Sequence, residues 1–128
     1  MAIRIVRLGD PRLNGEGLRI GTVRRPPRGV PKSQYASRNF YDVWLPDVAP
    51  SERLLKMVRG AQHERAWRSF ETRYRAEMNR PEPGRLLDLL AALSRTTDFS
   101  IGCYCADERR CHRSVLRELL TARQATLA

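Results

Sequence analysis

All three cysteines, one of the two histidines and three arginines fall within eleven consecutive positions, Cys103-Tyr104-Cys105-Ala106-Asp107-Glu108-Arg109-Arg110-Cys111-His112-Arg113. Three kinds of chemistry suit such a set. The first is anion binding. An apolar run precedes the stretch and an amphipathic pattern follows it, which predicts a strand–loop–helix step whose unpaired backbone N–H groups attract an anion. Arg109, Arg110, His112 and Arg113 crowd the amino end of that helix, which already carries partial positive charge. An anionic ligand between them offsets that conflict; the plainer alternative is that the arginines extend into solvent. The second is acid–base or nucleophilic catalysis, with His112 as general acid or base, Cys111 as a thiol activated by the helix terminus, and Arg113 as a charge stabiliser. The third is a metal site formed by Cys103, Cys105, Cys111 and His112. Cys103 and Cys105 share a face on an extended strand. Cys111 and His112, as neighbours on a helix, diverge by roughly 100°, which counts against this option.

Cys103 and Arg109 also show the Cys-x5-Arg spacing of phosphate-cleaving thiol enzymes. The intervening segment has no glycine and carries Asp107 and Glu108, which repel phosphate. Buried packing is the ordinary fate of a free cysteine, and it stays open for Cys103 and Cys111. An odd number of closely spaced cysteines makes a poor disulfide framework and fits reduced thiols.

A second basic segment is Arg24-Arg25-Pro26-Pro27-Arg28-Gly29-Val30-Pro31-Lys32. Its prolines exclude regular structure, and it leaves the end of an apparent strand. Ligands of parallel sheets bind beyond the carboxyl ends of strands. If the strands ending near Val23 and Tyr104 are parallel neighbours, Arg24, Arg25, Arg28, Lys32 and Arg113 hold one anion from two sides, with Tyr35 placed to stack on a base. An ordinary solvated basic loop is the alternative. His63 reads as a surface histidine.

The elements that must position these groups are legible as apolar periodicities. Residues 2–8, 18–23, 40–45 and 98–104 read as strands, with Trp44 expected in the core. Ser51 is a good N-cap for a helix that ends at Gly60. A second helix spans about 62–79, with Trp67, Phe70, Tyr74 and Met78 on one core-facing side. Pro81 and Pro83 are expected to break the chain before a helix over 84–95. The last helix runs from Cys111 to about Ala125. The order predicts an α/β fold: one domain over residues 1–128, with a small, mostly parallel, Rossmann-like sheet and helices packed on it.

The 128 residues carry a formal net charge of +10, and 22 of the 24 basic residues are arginine. Residues 1–40 hold nine of these against Asp10 and Glu16. A one-sided positive field attracts nucleotides or nucleic acid, although arginine richness also follows from genomic base composition. No apolar run approaches the ~20 residues of a membrane span. The basic, alternating amino terminus does not read as a secretory signal, so a cytoplasmic protein is expected.

Cys103, Asp107 and Cys111-His112-Arg113, together with the Arg24–Gly29 loop, Trp44 and the Pro50-Ser51 helix start, resemble the family catalogued as domain of unknown function 488, in its short bacterial branch. The likeness covers about the whole chain. The family usually has a glutamate two residues after the first cysteine; here that position is Cys105. The resemblance implies a fold and a site rather than a reaction. The reading is therefore a cytoplasmic protein that binds a phosphate-bearing small molecule or nucleic acid, with hydrolase-type activity in view and no cofactor. A non-catalytic nucleic-acid-binding module and a small Cys/His metal protein are the alternatives. Oligomeric state is not legible.

Overall fold

The computed structural model describes residues 1–58 and 64–128. The readings for Gly60, Gln62 and His63 fall outside these residues. Four strands, β1 (Ile3–Arg7), β2 (Leu18–Gly21), β3 (Val43–Trp44) and β4 (Phe99–Cys103), form one parallel sheet in the order β1-β4-β2-β3. Among the described residues, four helices accompany it: α1 (Glu52–Val58), α2 (Glu64–Met78), α3 (Pro81–Ser94) and α4 (His112–Ala122). The α/β expectation holds. Among the described residues, no helix is long and apolar enough to cross a membrane.

Strand alternation divides the sheet's two faces. Ile3, Ile20, Phe99 and Ile101 join Leu54, Phe70, Tyr74, Leu87, Leu90, Val115, Leu116 and Leu120 in one apolar cluster, so every helix contributes to the same core. This is why β4, central and covered, is buried at all five positions. Arg19 and Ser100 point to the opposite face. There, Arg19 is 1 % exposed and makes a bidentate pair with Glu16, Nε–Oε2 2.8 Å and Nη2–Oε1 3.0 Å. Ser100 Oγ donates to the same carboxylate at 2.7 Å, and Arg19 Nη1 donates to the carbonyls of Asp10 and Asn39. A fully desolvated ion pair is tolerable only with its remaining hydrogen-bonding capacity satisfied, and this one is.

Two glycines let side chains lie flat on that face. A Cβ at Gly21 would sit 2.3 Å from the Tyr41 ring, and one at Gly102 would sit 2.6 Å from Leu8 Cδ2. Any larger residue displaces Tyr41 or Leu8 from beneath the site described below.

Several boundaries differ from the sequence reading. The third strand is two residues long, and Trp44 is 43 % exposed, with Nε1 donating to Val23 O at 2.8 Å. Trp44 thus fastens the edge strand to the loop after β2 instead of filling the core. Pro81 and Pro83 lie inside the first turn of α3, where a missing N–H costs nothing because those groups have no intrahelical partner. The last helix begins at His112, after a 3-10 turn over Glu108–Arg110, and ends at Ala122.

Candidate functional site

The site lies at the carboxyl ends of β2 and β4 and the amino end of α4. Parallel pairing of β2 with β4 places the loops that follow them side by side. Two contacts then tie the loops together. Tyr104 Oη donates to Arg25 O at 2.9 Å, and His112 Nε2 lies 2.7 Å from Thr22 O. The Arg-Pro segment and the Cys-His-Arg segment therefore share one rim.

Local chemistry fixes the second loop. Asp107 caps the 3-10 turn by accepting from the Arg109 N–H at 3.0 Å, and Cys111 N donates to Glu108 O. Cys111 is the N-cap of α4 with φ −131° and ψ 150°, so its backbone is extended. This removes the divergence expected of helical neighbours: Cys111 Sγ lies 3.8 Å from His112 Nδ1. Cys103, the last residue of β4, places Sγ 3.7 Å from Cys105 Sγ. One ligand atom each from Cys103, Cys111 and His112 falls within 4.8 Å of the others. Cys103, Cys111 and His112 are buried, whereas Cys105 is exposed.

The imidazole's tautomer follows from its partners. A carbonyl only accepts, so Nε2 carries a hydrogen and donates to Thr22 O, leaving Nδ1 toward Cys111. The Tyr74 ring meets the imidazole edge-on at 5.6 Å. Of the three neighbouring thiols, Cys111 is held well below the usual thiol range by hydrogen bonds from Cys103 and Cys105, reinforced by His112. Cys103 is pushed up by its hydrogen bonding to Cys105 and Cys111.

Most of the arginines named from sequence have partners within the chain. Arg113 is 3 % exposed. It donates to Val6 O at 2.8 Å, to Cys105 O at 2.6 Å and to Cys111 Sγ at 3.4 Å, spanning β1, the loop and α4. Arg24 donates to the carbonyls of Pro50 and Ala49 just before α1. Arg25 makes a forked pair with Glu52 but stays 66 % exposed. Arg110 pairs with Glu64 at 2.5 Å, and Arg109 with Asp107 at 3.4 Å. Much of the crowding of cations at the start of α4 is thus offset by carboxylates and carbonyls of the chain itself. Arg28 and Lys32 are exposed, and among the described residues their side chains have no hydrogen bond or ion pair. An open cleft of about 400 Å³ beside the 3-10 turn is lined by Glu64, Trp67, Asp107, Arg109 and Arg110.

Sequence reasoning did not find the floor of the rim. Leu8, Val23, Tyr41, Cys103 and Cys111 form a second apolar cluster, with Tyr35, Phe40 and Tyr104 against it. Tyr35 is half-buried there, its ring edge-on to Tyr41 at 5.3 Å. Among the described residues the buried Tyr41 hydroxyl has no hydrogen-bond partner, and burial pushes its pKa up to about 12. An orphaned hydroxyl costs about 1–3 kcal/mol. Tyr41→Phe is therefore expected to leave stability unchanged or to raise it by up to about 1 kcal/mol, an upward Tm shift of about 2–5 °C in a chain this size. A Tm loss in a thermal melt would show that the hydroxyl has a partner.

No curated protein and no solved structure matches this chain. A family model described as the active DUF488-N3 subclade matches residues 3–124. That span includes the loop after β2, all three cysteines and the Cys-His-Arg start of α4. The chain belongs to the family of domain of unknown function 488.

Proposed function

We propose that this protein is an enzyme acting on a phosphate-bearing ligand, a nucleotide or a nucleic-acid backbone, with hydrolysis as the reaction class. The observation that carries the reading is the shared rim: parallel β2 and β4 bring an exposed basic loop and a buried Cys–His pair to one edge. Arg28 and Lys32, with Arg25 on the same loop and Arg109 on the loop after β4, attract the ligand's phosphate. Arg25 and Arg109 are 66 % and 90 % exposed, and each would exchange a surface carboxylate for phosphate at little cost. Cys111 and His112 supply the reactive groups beneath. With Nε2 committed to Thr22, His112 handles protons through Nδ1 alone. Arg113 and Arg24 act as positioning residues, because both guanidinium groups are used to hold loop carbonyls in place. The description of the subclade as active supports catalysis rather than binding alone.

The test is binding of a fluorescent single-stranded oligonucleotide and a mononucleotide across a salt series, with product analysis. Phosphate contacts make log affinity fall linearly with log salt, by roughly 0.7 per phosphate for single strands. Arg28→Glu with Lys32→Glu should reduce both affinity and that slope, by about one to two contacts. Salt-dependent binding with no product on any such ligand would favour the non-catalytic nucleic-acid module. Affinity unchanged by the double reversal would contradict the rim.

A further inference from the structure

We infer that Cys103, Cys105, Cys111 and His112 form a binding site for a divalent zinc-type ion, coordinated through three thiolate sulfurs and the imidazole Nδ1. Geometry carries this inference. Tetrahedral zinc with Zn–S of about 2.3 Å requires S···S edges of about 3.8 Å and slightly shorter S···N edges. The Cys103–Cys105 pair stands at 3.7 Å, and Cys111 Sγ to His112 Nδ1 at 3.8 Å. Donor atoms of the three buried residues Cys103, Cys111 and His112 already lie within 4.8 Å of one another; Cys105 lies outside that set and reaches it through Cys103, so its exposed side chain must close on the ion. The extended N-cap conformation of Cys111 is what lets two adjacent residues aim at one point.

Two independent observations support it. The first is the second shell of the histidine. A ligating imidazole ordinarily donates its other N–H to a carbonyl or carboxylate, which fixes its tautomer and orientation. His112 Nε2 is already committed to Thr22 O at 2.7 Å. The second is charge. Arg113 is buried and, among the described residues, contacts no carboxylate; its guanidinium meets two carbonyls and the Cys111 sulfur. A buried cation is costly without an anionic partner, and among its contacts in the described residues the Cys111 sulfur is the group that can be one. Three thiolates around a dication carry net −1, which Arg113 neutralises.

Cys105 is the displaceable member of the set. It is exposed at the rim, whereas the other three ligands are buried. Its departure leaves three protein ligands and an open position on the exposed side of the set, the arrangement of catalytic zinc sites. This recasts the proposed hydrolase: with Nε2 on Thr22 and Nδ1 on the ion, His112 no longer handles protons, and Cys111 serves as a ligand instead of a free thiol. The inference rests on that reading for the substrate alone, and binding of the ion does not depend on it.

The experiment is titration of the reduced, chelator-treated chain with cobalt(II) in chloride buffer, followed by competition with zinc. One equivalent of cobalt should bind with thiolate charge-transfer absorption and the intense visible bands of a tetrahedral site, and zinc should bleach both. Cys103→Ser and Cys111→Ser should abolish the charge-transfer signal. Cys105→Ser should keep one-to-one stoichiometry while losing about a third of that intensity. Zinc should also raise the wild-type Tm and shield its thiols from a disulfide reagent, a readout that needs no folded variant. Three fully reactive thiols and an unchanged Tm at stoichiometric zinc would overturn the site, as would octahedral cobalt spectra. Phosphate binding by the metal-free chain together with no cobalt signal would sink only the metal inference. A cobalt signal with no binding of any phosphate ligand would sink only the proposed function.

Discussion

Arg113→Met is expected to lower the free energy of unfolding by about 3–5 kcal/mol, although it replaces a charged residue by an apolar one of similar length. The guanidinium joins Val6 O at the end of β1, Cys105 O in the loop and Cys111 Sγ at the start of α4. Methionine fills the space but donates nothing, so two carbonyls lose their partners. Each such loss costs about 1–3 kcal/mol. Arg113→Lys should recover only part of the deficit, because one ammonium cannot span both carbonyls from a fork. Urea unfolding should show a lower midpoint with an unchanged slope. A change within about 0.5 kcal/mol, the range of ordinary surface substitutions, would mean that Arg113 does not hold the loop.

Arg19→Ala should be as damaging, at about 3–5 kcal/mol, because it strands the Glu16 carboxylate in a dry site. Its acid dependence provides a sharper signature. Burial alone would raise the Glu16 pKa, but hydrogen bonds from Arg19, Ser100 and the Leu13 N–H outweigh it and bring the value from 4.5 to about 2. Between those values the unfolded chain binds more protons than the folded one, so stability rises with pH. The contribution is complete above the unfolded value of 4.5 and is lost as pH falls through about 2. Its size is up to about 3 kcal/mol. Glu16→Gln should flatten that part of the stability–pH curve. An unchanged slope between pH 5 and 2 in Glu16→Gln would contradict the assignment to this pair.

How far the site could be read from sequence depended on whether a residue's partner was near it in the pattern. A Cys-x-Cys at a strand end and a Cys-His at a helix start are local signals. The shared rim was legible only as a condition, because three strands precede the helices and the sequence does not say which of them β4 joins; the pairing of β2 with β4 meets that condition. The destinations of the arginines were not. Arg24 and Arg113 sit among other basic residues in sequence and Arg19 within an apolar strand, yet each is occupied by carbonyls that the fold brings from elsewhere. Glu16 lies in an Asn-Gly-Glu-Gly turn, and nothing in the turn signals that it will be buried opposite Arg19. The positive field expected of residues 1–40 is reduced by carboxylates from outside that segment, Asp42 against Arg12 at 2.8 Å and Glu52 against Arg25 at 2.7 Å. The expected splay between Cys111 and His112 assumed helical backbone at both positions, whereas a helix N-cap is extended by nature. Trp44 was assigned to the core on hydrophobicity alone; its indole N–H, which needs an acceptor, drew it to the sheet edge.

The rim can be examined residue by residue through amide and side-chain resonances of the metal-free, isotope-labelled chain during titration with inorganic phosphate and a mononucleotide at low salt. One saturable set of shifts over Arg25, Arg28, Lys32 and Asp107–His112 is the predicted result, with Arg28→Glu and Lys32→Glu together weakening the response. Shifts confined to another surface, or none in these two loops at saturating ligand, would contradict it.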